Sequence, residues 1–209
     1  MKTALTALES LRAGNRRFVS NMSKTVPSQA RRASLVEGQA PSAIILACAD
    51  SRVPPELVFD HGLGELFVVR VAGNVCSPAT LASVEYAVSA LDVPLIVVLG
   101  HTKCGAVKAT IDAVKSGEST GSASIDDLVE RISPAVTPLL DADLESGELM
   151  SAATRANVVN TVDELRNESP ILRQSIRSGK LVVVSAEYAL ETGEVTFFAA
   201  SSAPVASAA

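Results

Sequence analysis

Residues 43–52 read Ala43-Ile-Ile-Leu-Ala-Cys48-Ala-Asp50-Ser51-Arg52, an unbroken apolar run that turns abruptly to charge. A half-buried strand alternates apolar and polar side chains. A run apolar on both faces fits a strand inside a parallel sheet with helices on either side. Leu66-Phe-Val-Val-Arg-Val71 and Leu95-Ile-Val-Val-Leu99 repeat the pattern, Leu181-Val-Val-Val184 adds a fourth strand, and the Glu191-Thr-Gly-Glu194 turn leads into a fifth over 195–199. Between them lie helical segments. Residues 78–91 begin with Pro78 after a capping Ser77, and further helices are predicted over 106–115, 125–140 (broken near Pro134 and Pro138) and 149–167. The fold class is therefore α/β, a mainly parallel sheet flanked by helices.

Outward from that core, residues 3–19 place Ala4, Leu8 and Leu11 at i, i+4 and i+7, an amphipathic helix with a break expected at Gly14. Its apolar stripe suits packing on a partner subunit or on its own core. Residues 20–41 read as a connector with one helical turn near 31–36. The chain divides into an N-terminal helical arm (1–40), an α/β core (41–200) and a fraying tail (201–209), all within a single domain. The 209 residues suffice for a core without staples. Eighteen basic against 23 acidic side chains leave a net charge of −5, which disfavours nucleic acid as a partner. Aromatics at 3% with no Trp argue against stacking platforms. No apolar run reaches the roughly 18 residues of a membrane span, and the first residues lack a leader-like apolar stretch. Cytoplasmic placement is expected.

Three polar clusters follow three strands: Cys48-Ala-Asp50-Ser51-Arg52, Arg70-Val-Ala-Gly73-Asn74 and Gly100-His101-Thr-Lys-Cys104-Gly105. Ligand sites of open parallel sheets lie beyond the carboxyl ends of the strands. His101 and Cys104 can reach one ion from a single turn, and Cys48 supplies a third ligand from a neighbouring strand end. Two thiolates and one imidazole with an open fourth position form a catalytic type of zinc site. Taken alone, His-x-x-Cys is more often a buried packing pair. Cys48, followed at once by an acid and a base, tips the reading to metal. Two thiolates cancel the charge of Zn²⁺ and weaken its hold on water's proton, so a nearby base is needed. Asp50 is that base, and Arg52 holds its carboxylate by a bidentate pair. Three cysteines cannot form a complete disulfide framework, and Cys76 reads as a packing thiol.

The motifs Cys48-Ala-Asp50-Ser51-Arg52 and His101-Thr-Lys-Cys104-Gly105 resemble those of the beta-class carbonic anhydrases. Val53-Pro-Pro-Glu56, residues 64–74, Ser83-Val-Glu-Tyr-Ala-Val88 and the turn at 190–195 are similar too. The resemblance implies reversible hydration of CO₂ to bicarbonate and a proton. It also implies one zinc per chain on Cys48, His101 and Cys104, with Asp50 and Arg52 as the catalytic dyad. In an open state Arg52 holds Asp50 away and water is the fourth ligand; in a closed state Asp50 takes that place. Gln39 matches a glutamine that hydrogen-bonds substrate. Gly105 matches a glycine whose N–H faces the ligand, and Phe67 and Tyr86 match apolar pocket residues that a partner subunit can supply. A homodimer or homotetramer is implied. Ile45 and Ala47 stand where some members carry Trp and Gly, so their regulatory bicarbonate site is not expected. His61 reads as a loop residue or a proton relay.

Three other functions fit parts of the same residues. One is carbonyl sulfide or carbon disulfide hydrolysis on the same fold. Another is a non-catalytic zinc-stabilised domain closed by Asp50. The third is a hydrolase using Cys104 as its nucleophile.

Overall fold

The computed structural model describes residues 3–198; the tail expected to fray lies outside them. In chain order the helices are α1 (Ala4–Val19), α2 (Gln29–Ala33), α3 (Pro55–Val58), α4 (Pro78–Leu91), α5 (Gly105–Ser116), α6 (Ala123–Val136), α7 (Ser146–Glu168) and α8 (Pro170–Arg177). The strands are β1 (Ala43–Cys48), β2 (Leu66–Val71), β3 (Leu95–His101), β4 (Val182–Tyr188) and β5 (Val195–Phe197). They form one sheet in the order β2-β1-β3-β4-β5, parallel except for the antiparallel β4–β5 pair. The chain builds β2 on one side of β1, then crosses to place β3 on the other. Crevices in open α/β sheets form at such a reversal, beyond the carboxyl ends of the strands.

All six residues of β1 are buried, as a run apolar on both faces requires. On one side Ile44, Leu46, Ile96, Val98 and Val183 pack under Val84 and Val88 of α4, Val158 and Val162 of α7 and Leu172 of α8. On the other, Ile45, Ala47, Val97 and Leu99 pack under Ala7 and Leu11 of α1 and under Val58 and Phe59. Thus α1 buries its stripe on its own chain.

Helix α1 runs straight through Gly14. A Cβ there would lie 1.7 Å from the Phe59 carbonyl oxygen, so the glycine serves close approach rather than a break. Next to it, Asn15 donates to the carbonyls of Val58 and Gly193 and accepts from the Val195 amide, tying α1 to the β4–β5 turn. Helix α6 continues past Pro134, and Pro138 sits in a separate 3-10 turn, Thr137–Leu139. The expected helical turn near 31–36 falls at α2. Helices α3 and α8 are additions; Ser169 caps α8 by accepting from the Leu172 amide one residue after α7 ends. Strand β4 extends to Tyr188 because Ser185 and Glu187, though polar, are buried under α7. Among the described residues no helix is long and apolar enough to cross a membrane.

Candidate metal centre

The sheet register builds the site. Ala47 on β1 pairs with Leu99 on β3, so Cys48 and His101 leave the sheet side by side. Cys104 follows a turn in which Lys103 adopts a left-handed conformation (φ 56°) and caps the start of α5. One ligand atom from each of Cys48, His101 and Cys104 lies within 4.8 Å of the others, and all three residues are buried. Their apolar jacket is Val75, Val107, Ile111 and Ile132.

The chemistry of these donors fits a metal. His101 Nδ1 lies 2.9 Å from the Thr102 carbonyl oxygen, which can only accept, so Nδ1 carries the proton. Nε2 therefore presents its lone pair to the cluster, and no protein group bonds to it. A buried acceptor without a donor is rare. A hydrogen bond to Cys104 draws the Cys48 thiol well below its usual range, while the same bond pushes the Cys104 thiol up. Burial pushes the imidazole of His101 down, but Cys48 outweighs it and raises it. The two thiols thus give up one proton readily and hold the second, as expected of two negative charges confined together. A dication answers that potential. The amides of Ala106 and Val107, at the N-terminus of α5, bring Cys104 down in part.

Around the cluster, Asp50 and Arg52 are paired as expected. Arg52 Nε donates to Asp50 Oδ1 at 2.9 Å, Nη2 to Oδ2 at 2.7 Å, and the Arg52 amide to Oδ1 at 2.9 Å. That grip holds the Asp50 carboxyl far below the usual carboxylate range. Asp50 Oδ2 lies 3.8 Å from His101 Nε2, at the mouth of the cluster.

Residues whose roles the sequence left blank support this arrangement. Arg70 Nε donates to the Cys48 carbonyl at 3.1 Å and Nη2 to the Asp50 carbonyl at 2.6 Å. Its place in the second polar cluster was the available signal. The Gly73 amide donates to Cys48 Sγ at 3.4 Å. Thr102 and Lys103 both bond to Glu191, at 2.9 and 2.8 Å, which anchors the His101–Cys104 turn to the chain after β4.

Other expected site residues lie apart. Gly105 opens α5 beside Cys104 and is exposed. Phe67 pairs with Ile44, four residues before the Cys48–Val71 rung, so it sits about 13 Å back along the sheet. Tyr86 is 55% exposed with its ring 6.3 Å from that of Phe67. Gln39 is exposed in the segment entering β1, at the opposite end of the strand from Cys48. One chain therefore does not bring Gln39, Phe67 and Tyr86 to the cluster. His61 is buried between Ser10 of α1 and the Phe59 carbonyl, bonded to both. Cys76 is buried in the apolar core, its thiol pushed up to about 12 by burial.

Comparison with known proteins agrees with this geometry. A family model described as carbonic anhydrase matches residues 43–195. The chain is 44% identical over 191 residues to a carbonic anhydrase of Mycolicibacterium smegmatis, covering 90% of each. Among solved structures it is similar to the beta-carbonic anhydrase CcaA, with a TM-score of 0.75 and 28% identity over 93% of this chain and 85% of that one. It is also similar to one of two tetrameric beta-carbonic anhydrases from Sordaria macrospora, with a TM-score of 0.71 and 27% identity over 79% and 84%.

Proposed function

The chain belongs to the beta-class carbonic anhydrase family, and from that premise we propose how its own residues carry out zinc-dependent, reversible hydration of carbon dioxide to bicarbonate and a proton. The observation that carries the proposal is the buried trio of donor atoms with an unpaired imidazole nitrogen, opening onto a carboxylate that an arginine restrains.

Cys48, His101 and Cys104 hold the zinc. When bound, the metal supplies Lewis acidity that makes water nucleophilic near neutral pH. Arg52 holds both carboxylate oxygens of Asp50 and keeps it ionised, which corresponds to the open arrangement of the dyad. Asp50 accepts a proton from incoming water and passes it toward solvent. Thr102, through its carbonyl, fixes the His101 tautomer. The Gly105 amide, at the start of α5, faces the product anion, where a helix N-terminus favours negative charge. The closed arrangement, with Asp50 among the ligands, belongs to the same proposal and requires Arg52 to let go.

A second copy of the chain completes the slot. Gln39 precedes β1, and Phe67, with Tyr86 against it, lies toward the same end of the sheet, remote from their own cluster; Gln39 and Tyr86 are exposed. A homodimer that lays this end over a partner's cluster supplies an apolar wall and one amide, which suits a small apolar substrate. Dimers pairing into a tetramer, and a reducing cytoplasmic setting that keeps Cys48, Cys76 and Cys104 as free thiols, complete the reading.

The test is zinc content together with CO₂ hydration by the purified protein from pH 6.5 to about 9, a window bracketing a zinc-water pKa near 7. One zinc per chain with turnover rising with pH is expected. Hydration no faster than buffer would overturn the reading.

A further inference from the structure

The cluster is supported from behind by a residue that touches neither substrate nor ligand atom. Asn157, on α7, is 1% exposed, and its Nδ2 donates to the Gly73 carbonyl at 2.8 Å. On the same residue, the Gly73 amide donates to Cys48 Sγ. Gly73 has a left-handed backbone (φ 66°), and a Cβ there would lie 2.7 Å from Ile132 Cδ1 and 3.2 Å from Ala106 Cβ. Gly73 is thus hemmed in by α5 and α6, and the peptide that follows it is held by Asn157. We infer that Asn157 is a positioning residue for Cys48: it fixes the peptide that follows Gly73, and because Gly73 itself has no room to rotate between α5 and α6 this also holds the preceding peptide, whose N–H points at the Cys48 sulfur, and so sets the donor strength and lifetime of that metal ligand.

Two observations favour this over a role in packing. Asn157 Oδ1 has no partner. A buried amide with an unsatisfied oxygen costs stability, a cost carried here while Nδ2 holds the Gly73 carbonyl. The inner face of α7 mixes apolar Val158, Val162 and Leu165 with buried Thr154, Asn157 and Thr161; Thr154 bonds back to its own helix at the Met150 carbonyl, whereas Asn157 reaches out of the helix to Gly73. In addition, an N–H···S bond withdraws charge from a thiolate and restricts its orientation. Partners of this kind behind a ligand typically alter metal affinity by 10–100-fold.

The inference rests on Cys48 being a metal ligand, so its test carries that control. The proteins to compare after incubation with zinc are wild type, Asn157→Leu, Thr161→Val and Cys48→Ser, the last as the control expected to retain none. Thr161 lies one turn along α7 and also carries an unpartnered buried oxygen. The readouts are the rate of zinc transfer to a chromogenic chelator and the thiolate-to-metal absorption band of the cobalt-substituted protein. Asn157→Leu, which leaves the Gly73 carbonyl without its donor, is expected to release zinc about tenfold faster and to shift the cobalt band. Thr161→Val is expected to change neither readout. If Asn157→Leu does not fold, Asn157→Ser, too short to reach Gly73, reads the same way. Wild-type release and an unshifted band in the Asn157 variant, with zinc lost from Cys48→Ser, would overturn the role of Asn157 and leave the ligand set standing. Full zinc in Cys48→Ser would overturn the ligand set and this inference with it.

Discussion

Arg52 grips both carboxylate oxygens of Asp50, Nε on Oδ1 at 2.9 Å and Nη2 on Oδ2 at 2.7 Å, although the two are separated in sequence by Ser51 alone. The guanidinium is half exposed and the carboxylate largely shielded, so the pair has an outer and an inner member. Arg52 can swing into water and leave Asp50 facing the metal cluster.

Substituting Arg52 by Ala is expected to retain zinc and to lower turnover near neutral pH. Freed of its partner, Asp50 turns toward the cluster and competes with water. The carboxylate is ionised at neutral pH with or without the grip, and hydroxide displaces it more readily as pH rises, so the activity profile moves to higher pH. Asp50→Asn removes the base outright and is expected to cost roughly 10²–10⁴ in turnover. Steady-state pH profiles with metal analysis check both.

Cys48→Ser, His101→Ala and Cys104→Ser are each expected to lose zinc, whereas Cys76→Ser keeps it. Metal analysis after gel filtration separates ligands from the packing thiol.

A mixing experiment tests whether copies share the site. Cys48→Ser and Gln39→Ala are each expected to be impaired alone. Refolded together, they should recover about a quarter of wild-type activity, because one of the two sites in each mixed dimer is whole and half the dimers are mixed. No recovery would place Gln39 outside the partner's slot.

Asp60 offers a pH-dependent stability test away from the cluster. Burial would raise its carboxyl, but the Arg17 guanidinium and the amides of Lys24 and Thr25 outweigh burial and bring it down to about 2 from an ordinary 3.8. A carboxyl lowered on folding stabilises the chain above its unfolded value and loses that contribution as pH falls toward the folded one. Asp60→Asn is therefore expected to cost roughly 1–3 kcal/mol at pH 7. The difference from wild type should shrink between about pH 4 and 2. Denaturant unfolding across that range is the measurement.

Gly14→Ala is expected to destabilise the fold by about 1–3 kcal/mol, since the new methyl collides with the Phe59 carbonyl and lifts α1 off the sheet. Thermal melting of the zinc-loaded protein reads this directly.

The sheet and the cluster were legible for one reason: β1 and β3 are buried on both faces, and their polarity changes at the edge where the site forms. What stayed hidden was polar side chains placed inside. Glu187 pairs with Arg155 beneath α7, so β4 looked four residues long when it is seven. Ser169 caps a new helix one residue after the previous one ends, and the junction read as a terminus. Asn157 looks in sequence like any surface asparagine of a helix. Gly14 suggested a break because its contact partner, Phe59, is distant in the chain.

The reversal of strand order between β1 and β3 also dictates when this molecule can first capture its ion. Cys48 belongs to the unit built with β2, whereas His101 and Cys104 arrive only with β3. During synthesis the earlier half emerges with Cys48 and the packing thiol Cys76 but without His101 and Cys104, so the three donors are not yet together. With the proposed ligand set, the metal would be acquired only after the third strand has docked, and its capture would mark the moment at which the two halves of the polypeptide have found each other.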